Sequence, residues 1–342
     1  MKKLFLSLVA AMMAATATYA QSSLLATLSS NGTITTYYGA DALRNAHADA
    51  KDGDIITLSS GSFTAVNIEK GITIRGAGMD VDPATQSEPT IIVGNFSISI
   101  PETSTSPLTI EGIYSNYYIN QTKVLRNATF LKCRISELFA GASNAPAVQN
   151  ITMIHCKITK ELVCPYSGTI SCLNCVIWNP RTYYSSTQSG ERGVYEMTNC
   201  ILQKSNVATE LSYSTFKNCI FVGASKYLFG STNTMYNCVL ASDDTSYDYF
   251  KNISNTTNKV VSYASVFKTC KDGTYSDSEN FELTSEAANN YKGTDGTQVG
   301  IYGGNMPFNP TPSNPRITKC DVASKSTADG KLSVDITVEG AE

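Results

Sequence analysis

A short motif recurs down this chain at steps close to twenty residues: LNCVI (173–177), TNCIL (198–202), KNCIF (217–221) and YNCVL (236–240). Taken at the residue before the cysteine position, the register runs Gly76, Asn95, Gly112, Lys132, His155, Asn174, Asn199, Asn218 and Asn237. A period of this length belongs to stacked repeats, in which each unit buries its apolar side only against its neighbours. It constrains architecture far more than activity.

The residues around each register position alternate. Two positions earlier lie Ile74, Val93, Ile110, Phe130, Met153, Cys172, Met197, Phe216 and Met235. One position later lie Ala77, Phe96 and Ile113, followed by Cys133, Cys156, Cys175, Cys200, Cys219 and Cys238. Three later lie Met79, Ile98, Ser115, Ile135, Ile158, Ile177, Leu202, Phe221 and Leu240. Period-two alternation is the signature of strands, and the phase breaks at the register residue. Two short strands therefore meet there at a tight bend, where Asn and Gly tolerate the left-handed backbone conformation. Lys132 and His155 depart from that preference. Strand, bend, strand and longer loop, repeated, make one coil of a single-stranded parallel β-helix in an all-β chain. Ten or eleven coils at about 4.8 Å each would give a rod about 50 Å long.

Ten cysteines in an exported chain would ordinarily suggest disulfides. Here six share one repeat position. Stacked identical positions point their Cβ atoms in parallel, which fits the disulfide torsion poorly. The expectation is a ladder of buried free thiols acting as small hydrophobes, beside a similar ladder at Asn174, Asn199, Asn218 and Asn237. Cys172 and Cys175 form a C-x-x-C, but both fall on inward columns, against a redox or metal role.

Residues 1–20 read as a cleaved secretory signal: Lys2 and Lys3, an apolar run too short to span a bilayer, then a small residue at Ala20. The expected location is beyond the inner membrane: periplasm, cell surface or medium. The formal net charge is −3, with no basic block, so nucleic acid is excluded as a partner.

Residues 21–305 are assigned to the β-helix and 306–342 to a proline-marked linker with a two-stranded hairpin tail, Arg316–Val322 and Lys331–Val338. Ala40 to Ala50 reads as a helix capping the first coil, since a bare terminal coil is an open sheet edge. The string DGDIITLSSGSFTAVNIEKGITIRGAG (52–78) follows it, and FELTSEAANNYKGTDGTQVGIYGG (281–304) closes the repeat region. In these segments the chain resembles right-handed parallel β-helix proteins of the pectin-lyase-like superfamily, of the secreted bacterial type. The resemblance covers roughly 38–304 and implies a fold and an exported, bacterial setting. It leaves activity open, because this fold hosts lyases, hydrolases, adhesins and inert proteins.

Val176, Ile201, Ile220 and Val239 share an outward-facing position on four consecutive coils. An outward apolar stripe needs a cover. Either the C-terminal tail supplies it or these four residues mediate self-association with a partner subunit.

Candidate chemistry lies where the period stretches. The loops at 136–150 and 179–193 are longer than a coil requires, and 159–168 lies between them. They carry Lys160, Glu161, Arg181, Tyr183, Tyr184, Glu191 and Arg192. Tyrosine faces stack on sugar rings and arginine forks take carboxylates or sulfates. Against catalysis, the acidic groups Asp80/Asp82, Asp243/Asp244/Asp248 and Asp272/Asp277/Glu279 do not recur on one column, as calcium held by several oxygens would need. The resemblance's hydrolase signatures are missing, and the two histidines lie in the cap helix and at a turn. No catalytic residue is assigned, and neither a metal nor another cofactor is expected. The expectation is an exported structural or glycan-binding protein. The alternative is a lyase or glycoside hydrolase acting on an acidic polysaccharide at these loops, with calcium required only in that case.

Overall fold

A computed structural model describes residues 24–83, 85–139, 147–165, 168–182, 193–203, 211–223, 232–243, 257–270, 276, 279–323, 325–327 and 329–340. The chain is a parallel β-solenoid of about 8 turns, with two long sheets of 11 and 13 strands along it. In the first, Ile110, Phe130, Met153, Cys172, Met197, Phe216 and Met235 stand in register, one per coil. In the second, Ser115, Ile135, Ile158, Ile177, Leu202, Phe221 and Leu240 do the same. All are buried in one continuous core.

The coil count falls below the ten or eleven expected, and the reason lies at the start of the register. Ile74 pairs with Ile110 and Arg75 with Glu111, so Gly76 sits directly beside Gly112. One coil therefore spans the whole interval, and Asn95 does not belong to the column. Thr90–Val93 and Phe96–Ile98 are two strands of that single coil, lying on other sides of it. Val93, assigned inward by the repeat, is exposed. A cluster of alternating apolar residues at the right distance mimicked a repeat. Gly76 and Gly112 lie so close that a Cβ on Gly76 would come within 2.2 Å of the Gly112 carbonyl oxygen.

From Gly112 onward the bend is as expected. Lys132 and His155 also adopt positive φ, 52° and 53°, alongside Asn174 at 48°, Asn199 at 53°, Asn218 at 55° and Asn237 at 50°. The cysteines of the next column are free and buried. Each thiol lies within hydrogen-bonding distance of two carbonyl oxygens, as Cys156 Sγ does at 3.3 Å from Phe130 O and 3.4 Å from Ile154 O. Burial pushes Cys133, Cys156, Cys175 and Cys219 well above the usual thiol range.

Both ends of the solenoid are closed. The cap helix spans Ala42–Asp49 and buries Ala42, Leu43, Ala46 and His47. Two antiparallel strands cover the first coil edge: Leu25–Ser30 pairs with Ile55–Leu58, and Thr33–Tyr38 pairs with Leu25–Ser30 on its outer side. These strands were not foreseen. At the other end, Thr257 Oγ1 accepts from Asn237 N at 3.0 Å and Asn258 Oδ1 accepts from Cys238 N at 2.9 Å. Side-chain oxygens there take the place of a further coil's carbonyls.

The outward stripe is covered, but not by the hairpin. Val176, Ile201, Ile220 and Val239 are 3%, 1%, 0% and 2% exposed, packed against Val266, Phe267, Phe281, Leu283, Ala287, Val299 and Ile301. The stretch 281–304, expected as a final coil, instead runs back along the outside of the rod. Its helix Ser285–Asn290 is capped by Thr284, whose hydroxyl accepts from Ala287 N at 3.1 Å. Described residues between 263 and 308 of the same chain thus cover the four stripe residues.

The register column holds this strap. Asn237 Nδ2 donates to Lys292 O at 2.9 Å. Asn218 Oδ1 accepts from Thr294 N at 2.8 Å, and its backbone oxygen from Gly300 N at 2.8 Å. Asn174 Nδ2 reaches Ile301 O and Gly303 O at 2.7 and 2.8 Å. His155 Nε2 lies 3.0 Å from Met306 O, and Lys132 Nζ donates to Thr311 O at 2.6 Å. Asn314 Nδ2 donates to Gly76 O at 3.1 Å, and Arg316 pairs with Asp82 at 2.7 Å. The asparagines expected as a ladder thus turn their side chains to the strap. At Lys132, His155, Asn174 and Asn237 the left-handed residue turns its side chain to a carbonyl of the strap, and at Asn218 to a strap N–H.

The linker at 306–316 therefore docks on the rod, while the hairpin does not pack on it as expected. Arg316–Val322 and Val334–Glu339 pair antiparallel. Ile317, Val322, Leu332, Val334, Ile336 and Val338 are exposed. Among the described residues no helix is long and apolar enough to cross a membrane.

Candidate functional site

The stretched loops leave one corner of the rod, and the described part of that corner forms a polar column. Tyr118 pairs with Glu137 and Glu137 with Glu161 on successive coils. Asn95 Nδ2 donates to the Tyr118 hydroxyl at 2.8 Å at one end. Asn179 Nδ2 donates to Glu161 Oε1 at 3.0 Å at the other. A register shift between Ile135 and Glu137 marks a bulge in this strand pair, of the kind that re-aims side chains at solenoid corners.

Three of the expected site residues meet here. Arg181 Nη1 lies 3.0 Å from Glu161 Oε1, and Lys160 pairs with Glu137. That hydrogen bond to Glu137 holds the Lys160 ammonium above its usual range. Tyr183, Tyr184, Glu191 and Arg192 lie outside the described residues, as do 140–146 and 166–167.

The floor beneath the column is built around one buried tyrosine. Tyr195 is fully buried, its hydroxyl 2.9 Å from Leu162 O and 2.8 Å from Arg181 O. It ties the strand Lys157–Cys164 to Pro180–Thr182, which pair in parallel. Burial pushes this phenol well above its ordinary range, so it serves as a neutral hydrogen-bonding post.

Glu137 and Asn179 were not singled out with the site in the sequence. Their signal was present: Glu137 precedes Glu161 by one coil step plus the bulge residue. Tyr117 and Tyr118 are exposed beside it, adding aromatic faces at the end of the column.

Chemically, the corner offers a row of hydroxyl, carboxylate, ammonium, amide and guanidinium groups about 4.8 Å apart. Each of the two carboxylates is held by a cation. Among the described residues, no three or more His, Cys, Asp or Glu gather as a metal site. Asp80, paired with Arg134 at 3.1 Å and Lys157 at 2.8 Å, lies beside the strap and fastens a loop to the rod; Asp244, Asp248, Asp272 and Asp277 lie outside the described residues.

Compared with known proteins, the chain matches no family model, no curated protein and no solved structure. The class the fold defines is a parallel β-solenoid with a strap along its side.

Proposed function

We propose that this protein is an exported, non-catalytic β-solenoid that binds a glycan chain along the corner running from Asn95 to Arg181. The pectin-lyase-like, secreted bacterial resemblance belongs to the same reading. The observation that carries it is the in-line column of Tyr118, Glu137, Glu161 and Asn179, flanked by the exposed ring of Tyr117. Sugar rings stack on tyrosine faces, and sugar hydroxyls donate to carboxylates and accept from amides and cations. Glu137 and Glu161 are each engaged by a cation, an arrangement suited to holding a ligand rather than passing a proton.

The test is a panel of acidic and neutral polysaccharides measured for binding and for turnover. Binding is expected to weaken about tenfold in Tyr118→Ala and Arg181→Ala, in line with loss of a stacking or charge-assisted contact. New reducing ends, or absorbance from unsaturated uronates, would replace this reading with the lyase or hydrolase alternative.

A further inference from the structure

A second cleft, away from the corner, opens at the C-terminal end of the rod, where the last coil meets the strap. It measures about 250 Å³ and is lined by Asn237, Cys238, Val239, Thr257, Lys259, Asn290, Tyr291, Lys292 and Val299. Its construction is layered. Val239 and Val299 are buried and form an apolar floor, with the Tyr291 side chain packed beside them. Thr257 and Asn290 contribute polar groups to the wall, and Lys259 and Lys292 stand exposed at the rim.

The backbone around the cleft is fixed. Lys292 O accepts from Asn237 Nδ2 at 2.9 Å, and Val299 N donates to Tyr291 O at 3.1 Å. Lys259 is held by the strand Lys259–Val261, which pairs with Val239–Ala241. Neither Lys259 nor Lys292 has a carboxylate partner among the described residues, whereas Lys157, Lys160 and Lys268 do. Among the described residues no acidic side chain lines the cleft. The site therefore presents two cations to one concavity and is rich in donors.

We propose that this cleft binds a phosphate monoester carried on a small ring, of sugar-phosphate size. Two ammonium groups match a dianion, and lysine serves oxyanions as a point charge. A tetrahedral oxyanion has only acceptors to offer, which suits a donor-rich rim. The apolar floor and the tyrosine take the C–H face of the ring. The volume leaves room for both parts, close to the lower end of small-molecule sites. Nothing in this inference depends on glycan binding at the corner.

The experiment is calorimetric or NMR titration of the full chain with glucose 6-phosphate, glucose 6-sulfate, inorganic phosphate and glucose. Glucose 6-phosphate is expected to bind at least about tenfold more tightly than each of the others, and more weakly as salt rises. Binding should also fall below about pH 6, where the phosphate loses its second charge. Lys259→Ala and Lys292→Ala should each weaken it about tenfold, the scale of a lost charge-assisted contact, with Lys123→Ala, an exposed lysine away from the cleft, unchanged. No binding at millimolar ligand, or unchanged affinity in both lysine variants, would overturn the proposal. Equal binding of inorganic phosphate would remove the ring, and equal binding of the sulfate would remove the dianion.

Discussion

The side-chain amide of Asn174 donates to the backbone carbonyl of Ile301 at 2.7 Å, across 127 residues of sequence. The donor sits in a left-handed bend of the coil and the acceptor in a strap that has run back along the rod. Two effects meet at this residue. Asn tolerates the positive φ, and its amide satisfies two buried carbonyls, those of Ile301 and Gly303.

These effects separate by substitution. Asn174→Gly keeps the backbone conformation and loses the hydrogen bonds, at an expected cost of about 1–3 kcal/mol. Asn174→Ala adds about 1–2 kcal/mol for the left-handed bend. Denaturant unfolding of both variants measures the difference. Equal midpoints would mean that the bend carries no strain.

The strap's apolar grip centres on Ile220, which is fully buried although it faces outward from the coil. Ile220→Ala is expected to cost about 2–5 kcal/mol, as a core truncation does. A surface-like cost under about 0.5 kcal/mol would show that the stripe is not packed. Gly300 sits against this side chain at φ 81°, where a Cβ would lie 2.8 Å from Ile220 Cδ1. Gly300→Ala is therefore expected to loosen the strap without altering the coils, which limited proteolysis would reveal as cleavage confined to the C-terminal segment.

Stability should fall on mild acidification. Burial lowers the pKa of both His47 and His155, and His47 Nε2 accepts from Glu69 N at 3.3 Å, a bond open only to the neutral ring. Above the ordinary imidazole value of about 6.5, both states are neutral and the chain has its full stability. As pH falls through that value, the unfolded chain takes up protons that the folded one refuses, so stability drops until the folded pKa values are passed. Urea midpoints at pH 7.5 and 5.5 should differ accordingly, with a smaller difference in His47→Gln. A midpoint that rises on acidification would contradict this.

Four thiols of the ladder should be chemically silent in the native state. Cys133, Cys156, Cys175 and Cys219 are fully buried and their thiols shifted upward, and Cys164 is pushed up to about 12. Alkylating reagents attack thiolates. Mass spectrometry after iodoacetamide at pH 8 should find these residues unlabelled until denaturant is added. Labelling at the rate of a free peptide thiol would refute the ladder.

Much of this architecture was legible because a solenoid repeats one local solution. From Gly112 to Asn237 the alternation and the bend residue place every inward column correctly. Asn95 misled because Phe96 and Ile98 alternate as a coil strand would, and only pairing partners show that they lie on another side of the same turn. Lys132 and His155 looked irregular because their reasons, the carbonyls of Thr311 and Met306, lie far away in sequence. The need for a cover over Ile220 was visible in the pattern. Its identity was not, since Phe267, Phe281 and Val299 carry no periodicity that marks them as a strap. At the corner, loop length pointed to Lys160, Glu161 and Arg181, whereas Glu137 and Asn179 required the register across coils and its bulge.

Hydrogen exchange of the full chain tests the central claim, that the register column holds the C-terminal strap, most directly. Val299, Gly300 and Phe308 amides are bonded to Tyr291, Asn218 and Ile301 and should exchange far more slowly than free peptide. In an Asn174→Gly, Asn218→Gly double variant, protection should drop across 291–308 while the coil strands at 148–158 keep theirs. Strap amides exchanging like free peptide in the unaltered chain, or protection lost equally in strap and coils of the variant, would contradict the account.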